Sequence, residues 1–496
     1  MGHLMPCSKQ LKHYVCAIIF IIAFCLTGSA RVFAAEEGEK LVPVRGVLHL
    51  NTDVSSGEYP PEHIVRMAQE ADMDAVFLTE NLKPKWEYGL LICRSIAKKT
   101  VEKDGLLKYG AEKYSDRIDS LDERARDLTV LMAAEVAPFY YWTGTPFRKG
   151  SLTLNNWDVQ FLVMGMDAKD YKNIPTVSTG GFARDRGINI LMLWPFILMI
   201  AGVISLKWKH TRFFLPNSFC WAMIIIGVLF ALRNYPFKAV KYDQYHADVG
   251  TGPYQAVIDY VNKKGGVTFW SNPEAKTHMK VDPIVFISPS AEKHMLETKD
   301  YTGFCCFYEG YRNIGGPGGI WDAVLEDYCH GLRKSPVWTI GEMAYHGKEA
   351  PIGKPIGDVQ TVFLVPSNTR ENILKAMKEG SMYAVRRSVK HELELDSFMV
   401  EYPEDNKKAG MGQELTAGGP VTVRFKVDWS GKPGEIVIAK LIRNGIIVRE
   451  FFITKPGEFE FKDDFYRPGE KVYYRLDIRG KYPSMLFSNP IFVEFK

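Results

Sequence analysis

The chain has no CxxC pair among its eight cysteines, no dominant basic cluster and a formal net charge of only +4 over 496 residues. A paired-cysteine metal knuckle is excluded, and nothing calls for a nucleic-acid partner. Cys305 and Cys306 are adjacent and cannot easily bond to each other. Pairing with Cys329 or Cys93, and free buried thiols, both remain open. Imidazole is also scarce where chemistry would use it. Leu48-His49-Leu50-Asn51-Thr52 and Leu78-Thr79-Glu80-Asn81 have the look of strand ends that aim ligands into a barrel mouth. Each carries asparagine where a further histidine would serve.

The length suffices for two or three domains with a sizeable core. Lys9 and Lys12 precede an apolar run, Tyr14 to Leu26, and Val32-Phe33-Ala34 forms a small-residue cleavage motif. This predicts a signal peptide over residues 1–34. Two later runs, Gly187 to Leu206 and Phe213 to Leu232, are apolar almost throughout. Each is about 20 residues, enough for a hydrocarbon core of about 30 Å, and neither keeps a polar stripe. The expectation is a transmembrane helical hairpin over residues 187–232, anchoring the chain in a lipid bilayer. Lys207, Lys209 and Arg212 in its linker favour a cytoplasmic turn, with both flanking segments exported. Two spans without an intramembrane charge are too few for a transport pathway.

Between residues 35 and 186, and again between 233 and 392, strand and helix patterns alternate. Val44–Leu50, Ala75–Thr79, Asp127–Ala134 and Val159–Met166 read as strands in the first part. A helix opening at Pro60-Pro61 lies among them. Tyr254–Lys263 reads as a helix ended by Gly265-Gly266, with strands at Val267–Trp270, Ile284–Ile287 and Val337–Ile340, and a further helix at Asn372–Glu379. Alternation of this kind argues for a parallel α/β barrel or sheet. Residues 393–496 change character to short β runs, with Asn444-Gly445 as a hairpin turn. A β-sandwich without evident chemistry is expected there.

The strand ends bear His49, Glu80, Glu135, Asn272 and His346. With Met132-Ala133-Ala134-Glu135-Val136, Trp270-Ser271-Asn272-Pro273-Glu274 and Gly341-Glu342-Met343-Ala344-Tyr345-His346-Gly347 in this order, the chain resembles the PHP (polymerase and histidinol phosphatase) superfamily. The resemblance runs from about Val44 to Glu379. It implies a distorted, TIM-like (β/α)7 barrel, here interrupted by the transmembrane hairpin and followed by the sandwich. It also implies a metal-dependent phosphoesterase with a polynuclear centre.

The departures from that family pattern fall on the ligands. Asn51, Asn81, Gln160, Asn272 and Ala344 stand at positions that the resemblance assigns to metal ligands, whereas His49, Glu135 and His346 are kept and Glu80 is a conservative change. Amides are neutral and coordinate weakly through oxygen, while imidazole suits Zn²⁺, Mn²⁺ and Fe²⁺. Too few nitrogen ligands are left for a trinuclear cluster. A single divalent ion (Zn, Mn or Fe) held by His49, Glu80, Glu135 and His346 is one expectation. Glu342 and Asp158, two residues from Ala344 and Gln160, could compensate along their strands. His246 and His278 read as surface histidines. Two functions follow. One is a membrane-anchored, non-catalytic binding or assembly module facing the cell envelope, with a phosphorylated or lipid-linked ligand. The other is a divergent phosphoesterase using one or two divalent ions.

Overall fold

The computed structural model describes residues 40–496 except 91–93, 95–96, 185–189, 191–192, 208–215, 235–238, 348–354, 389–391 and 433. The leader expected over residues 1–34 and Cys93 lie outside the described residues. Among the described residues Cys305, Cys306 and Cys329 are free thiols.

Strand β1 (Val42–Leu50) and β2 (Ala75–Asn81) pair in parallel, and β2 pairs in parallel with β3 (Thr129–Val136). Their apolar runs are buried on both faces, as a sheet covered on both sides demands. Helix α1 (Pro61–Glu70) connects the first two strands. Its proline sits at the first turn, where no N–H is needed, and Ile64, Val65 and Ala68 face inward. Helix α2 (Ala111–Arg124) leads into β3 and buries Tyr114, Ile118 and Leu121. Strand β4 (Gln160–Met164) is antiparallel to β3 and to β5 (Val267–Ser271). β5, β6 (Gly303–Cys306) and β7 (Trp338–Gly341) are again parallel. Beyond β7, the Met343 N–H donates to the Leu48 carbonyl and the Tyr345 N–H to the His49 carbonyl, so this segment returns to β1.

The expected membrane hairpin is overturned. Among the described residues no helix is long and apolar enough to cross a membrane. Helix α3 (Trp194–Lys207) has 14 residues, about 21 Å at 1.5 Å per residue. Helix α4 (Asn217–Asn234) has 18, but it opens on Asn217-Ser218 and closes on Arg233-Asn234. The apolar stretch between those ends is again about 21 Å, short of a hydrocarbon core of about 30 Å. Counting apolar residues measured hydrophobicity, while the helices start later than the apolar runs do. The two helices pack on each other: a methyl on Gly202 would lie 2.8 Å from Ile224, and one on Gly227 would lie 2.4 Å from Met199. The bilayer anchor, and the membrane localisation inferred from it, fall with the hairpin.

The expected fold, a seven-stranded barrel broken by that hairpin and followed by a separate sandwich, is corrected too. The fold is mixed α/β, with one sheet of fifteen strands. β1 pairs on its other side with β8 (Val359–Val365), and β8 with β9 (Met382–Arg386), both antiparallel. The sheet then runs on into the C-terminal strands. Among these are β10 (Val437–Arg443), β11 (Ile446–Ile453), β12 (Lys471–Arg479) and β13 (Met485–Ser488), in the order β9-β13-β12-β10-β11. A four-stranded sheet of Lys407–Gly410, Leu393–Tyr402, Val421–Trp429 and Gly457–Asp463 faces this extension. Val362, Tyr383 and Val385 of β8 and β9 share one apolar core with Leu395, Phe425 and Leu476, so the halves are not independent. Helix α5 (Gly252–Lys263) precedes β5, and helix α6 (Ile320–Cys329) lies between β6 and β7. Leu41 to Lys496 forms one compact unit.

Candidate functional site

Strand ends gather the polar residues. In the β2–β3 register Asn81 lies directly opposite Glu135. The pairing of β1 with β2 slips between Val47 and Leu50, and within that irregularity His49 takes φ +63°. Asn272, Phe307, Tyr308 and Ala344, just past the ends of β5, β6 and β7, also have φ between +43° and +66°. Side chains with a Cβ occupy this region at a penalty of about 1–2 kcal/mol each. Such conformations persist only where the surroundings over-determine them, and they gather at functional sites.

His49 is wholly buried. Its Nδ1 hydrogen-bonds Glu342, and its Nε2 lies 3.4 Å from Glu135 Oε1, an ion-pair contact outside hydrogen-bond alignment. Burial alone would lower the imidazole's pKa. The carboxylates of Glu135 and Glu342 outweigh burial and push it up to about 10. The two flanking carboxylates thus favour the charged form of the ring. Burial works to raise Glu342, yet His49 and the donors Ser271 and Asn272 hold it below the usual carboxylate range. Ser271 Oγ donates to Glu342 Oε1 at 2.5 Å, and the Asn272 backbone N–H donates to Oε2 at 3.1 Å. Glu135 accepts from both neighbouring amides: Asn81 Nδ2 donates to Oε2 and Gln160 Nε2 to Oε1.

The other expected ligands stand apart. Glu80 accepts from Thr52 Oγ1 at 2.6 Å, from Tyr114 OH at 2.7 Å and from Ser55. Burial raises its pKa against these three hydroxyls. His346 is exposed, its Nδ1 lies 3.2 Å from Ser56 Oγ, and its ring centroid is 6.3 Å from that of His49. Asn51 is fully buried, and neither atom of its amide has a hydrogen-bond partner. Ala344 offers no ligand atom. Of the two compensating acids, Glu342 does reach His49. Asp158 turns to the Thr277 hydroxyl at 2.8 Å, and burial pushes it up to about 6, with Glu135 adding to the rise.

A polynuclear transition-metal centre does not fit this donor set. Both Glu135 oxygens accept amide N–H groups, His49 Nδ1 is engaged by Glu342, and Glu80 is held by three hydroxyls elsewhere. Among the described residues no group of three or more His, Cys, Asp or Glu side chains is arranged to hold a metal ion. Thr52 and Ser55 could have been suspected from the loop after His49. Nothing in the sequence pointed to Tyr114 or to the part played by Ser271.

Beside the end of β2 lies an open cleft of about 370 Å³, lined by Asp53, Asp104, Lys108, Tyr109 and Arg117. Gly105 closes its floor; a Cβ there would meet the Asn81 carbonyl at 2.6 Å, so only glycine lets the chain pass so near. Arg117 is already held by Glu62, at 2.9 and 2.6 Å, and Lys108 by Asp104 at 2.7 Å.

No family model matches the chain, and no curated protein does. Among solved structures it is similar to a two-domain protein from Bacteroides vulgatus containing a predicted PHP-like metal-dependent phosphoesterase. The identity is 11%, covering 88% of this chain and 91% of that one, with a TM-score of 0.31. It is also similar to a candidate metal-dependent phosphoesterase from Bifidobacterium adolescentis (13% identity, 63% and 91% covered, TM-score 0.27). A third likeness is an amidohydrolase from Chromobacterium violaceum with bound sulfate and no metal (10%, 69% and 98%, TM-score 0.27). Likenesses this faint carry no residue assignment.

Proposed function

We propose that the chain is a non-catalytic binding or assembly module on a phosphoesterase-type scaffold. One observation carries this reading: among the described residues His49 is the imidazole against Glu135, and it is clamped between Glu135 and Glu342, while Glu80 is held by hydroxyls elsewhere and the His346 ring lies 6.3 Å from that of His49. Hydrolysis of a phosphoester by this kind of site needs ions that polarise the phosphate and supply hydroxide. Here His49 is engaged with Glu342, Glu135 with two amides and Glu80 with three hydroxyls. The cleft next to β2 is the place for a ligand. Lys108 and Arg117 line it, each paired with a carboxylate, Asp104 and Glu62, that a phosphorylated group would have to displace.

The test is turnover of a generic phosphomonoester and phosphodiester by the full chain, with Mn²⁺ or Zn²⁺ supplied. No rate above the buffer is expected. Steady hydrolysis that disappears in Glu135→Ala would establish the divergent phosphoesterase instead.

A further inference from the structure

Glu135 has donors on both oxygens. Asn81 Nδ2 approaches Oε2 from β2, Gln160 Nε2 approaches Oε1 from β4, and His49 Nε2 stands 3.4 Å from Oε1 on β1. Rotating either amide by half a turn would set its carbonyl oxygen against a carboxylate oxygen. The acid itself thus fixes the N–H orientation, and an N–H hydrogen repels a cation. Across the imidazole ring, Glu342 is held by Ser271 and the Asn272 backbone at the end of β5. The chain of contacts runs Asn81 and Gln160 to Glu135, then His49, then Glu342, then Ser271 and Asn272. It joins the ends of β1 to β5 with the segment that follows β7.

We propose that the side-chain N–H groups of Asn81 and Gln160 have replaced divalent ions around Glu135, so that this carboxylate fastens the strand ends together with no metal. The proposal rests on the reading of the centre as non-hydrolytic, and it can fail separately. It explains why the departures occur together. A histidine restored at one position alone would lack ion and amide partners alike.

Thermal unfolding of the full chain, with and without Mn²⁺ and after EDTA, tests it. The wild type should shift by less than about 1 °C in either case, since a ligand that does not bind the native state does not stabilise it. Gln160→Leu should melt lower and stay indifferent to Mn²⁺. Gln160→Glu sets a second carboxylate against Glu135; it should melt lower without metal and rise with Mn²⁺. A wild-type rise with Mn²⁺ that is lost in Glu135→Ala overturns the proposal, and so does a metal-free Gln160→Glu as stable as the wild type. Calorimetric titration of the wild type with Mn²⁺ needs no variant to fold, and a one-site isotherm there also overturns it. Turnover without Mn²⁺ binding would remove the functional reading and leave this one in place. Mn²⁺ binding without turnover does the reverse.

Discussion

Arg475 of β12 is wholly buried, as is Asp322 of α6, and their side chains meet fork to fork at 2.7 and 2.6 Å. Asp322 also accepts from Tyr473 OH at 2.8 Å and from the Gly318 N–H at 2.7 Å. The guanidinium lies 4.6 Å from the centre of the Trp321 ring. Arg475→Met keeps most of the packing and removes the charge, leaving a carboxylate in the interior with only neutral donors. Breaking one side of a buried pair destabilises by about 3–5 kcal/mol. That is a large part of the roughly 5–15 kcal/mol that holds a typical domain together, and it lowers the melting temperature by on the order of 10 °C. Because α6 lies between β6 and β7 and β12 belongs to the C-terminal strands, the loss should appear in one shared transition. Urea unfolding followed by tryptophan fluorescence reads it. The double variant Asp322→Leu with Arg475→Met removes the stranded charge and should recover at least about 1 kcal/mol of the loss. A single variant costing under about 1 kcal/mol, or a double variant worse than the single, refutes the reasoning.

Tyr114→Phe removes one of the three hydroxyl donors to Glu80 and should cost about 1 kcal/mol, measured by denaturant midpoint at constant slope. Asp158 has its pKa raised to about 6, so between about 4 and about 6 the folded chain holds a proton that the unfolded chain releases. Its contribution to stability therefore falls as pH rises through that window, and a melting series in Asp158→Asn should lack that slope. Gly380 ends the helix Arg370–Glu379 at φ +78°, with a Cβ position 2.6 Å from the Trp338 ring. Gly380→Ala should lose more than the roughly 1 kcal/mol typical of a strained left-handed alanine, visible as a lower melting temperature.

Local signals were legible where the physics is local. Pro60-Pro61 and the spacing of Ile64, Val65 and Ala68 marked a helix that is present. Gly265 at φ +75° follows the helix expected to stop there. Asn444 and Gly445, at φ +47° and +73°, make the turn between β10 and β11. Of the strand-end residues singled out in the sequence, His49 lies beside Glu135, and Glu342 hydrogen-bonds His49. Legibility failed where long-range pairing decides. β4 runs antiparallel to both neighbours, a direction no periodicity encodes. The pairing of Ile284–Ser288 with Leu152–Asn155 brings together segments more than a hundred residues apart. Glu80 and His346 matched the ligand pattern in position only. Thr52, Ser55 and Tyr114 draw one aside, and Ser56 meets the other at the surface. The apolar runs near residues 187–232 were misread because hydrophobicity per residue does not report where a helix begins.

The join between β9 and β13 is made of backbone hydrogen bonds, Tyr383 to Arg386 against Met485 to Ser488. Among the described residues this ladder, and not a tether alone, joins the C-terminal strands to β9. Any displacement of those strands must shear one strand along the next, through β9 and β8 to β1. A mechanical load applied at the outer edge, Ile446–Ile453, is thus transmitted in series to the strand that carries His49.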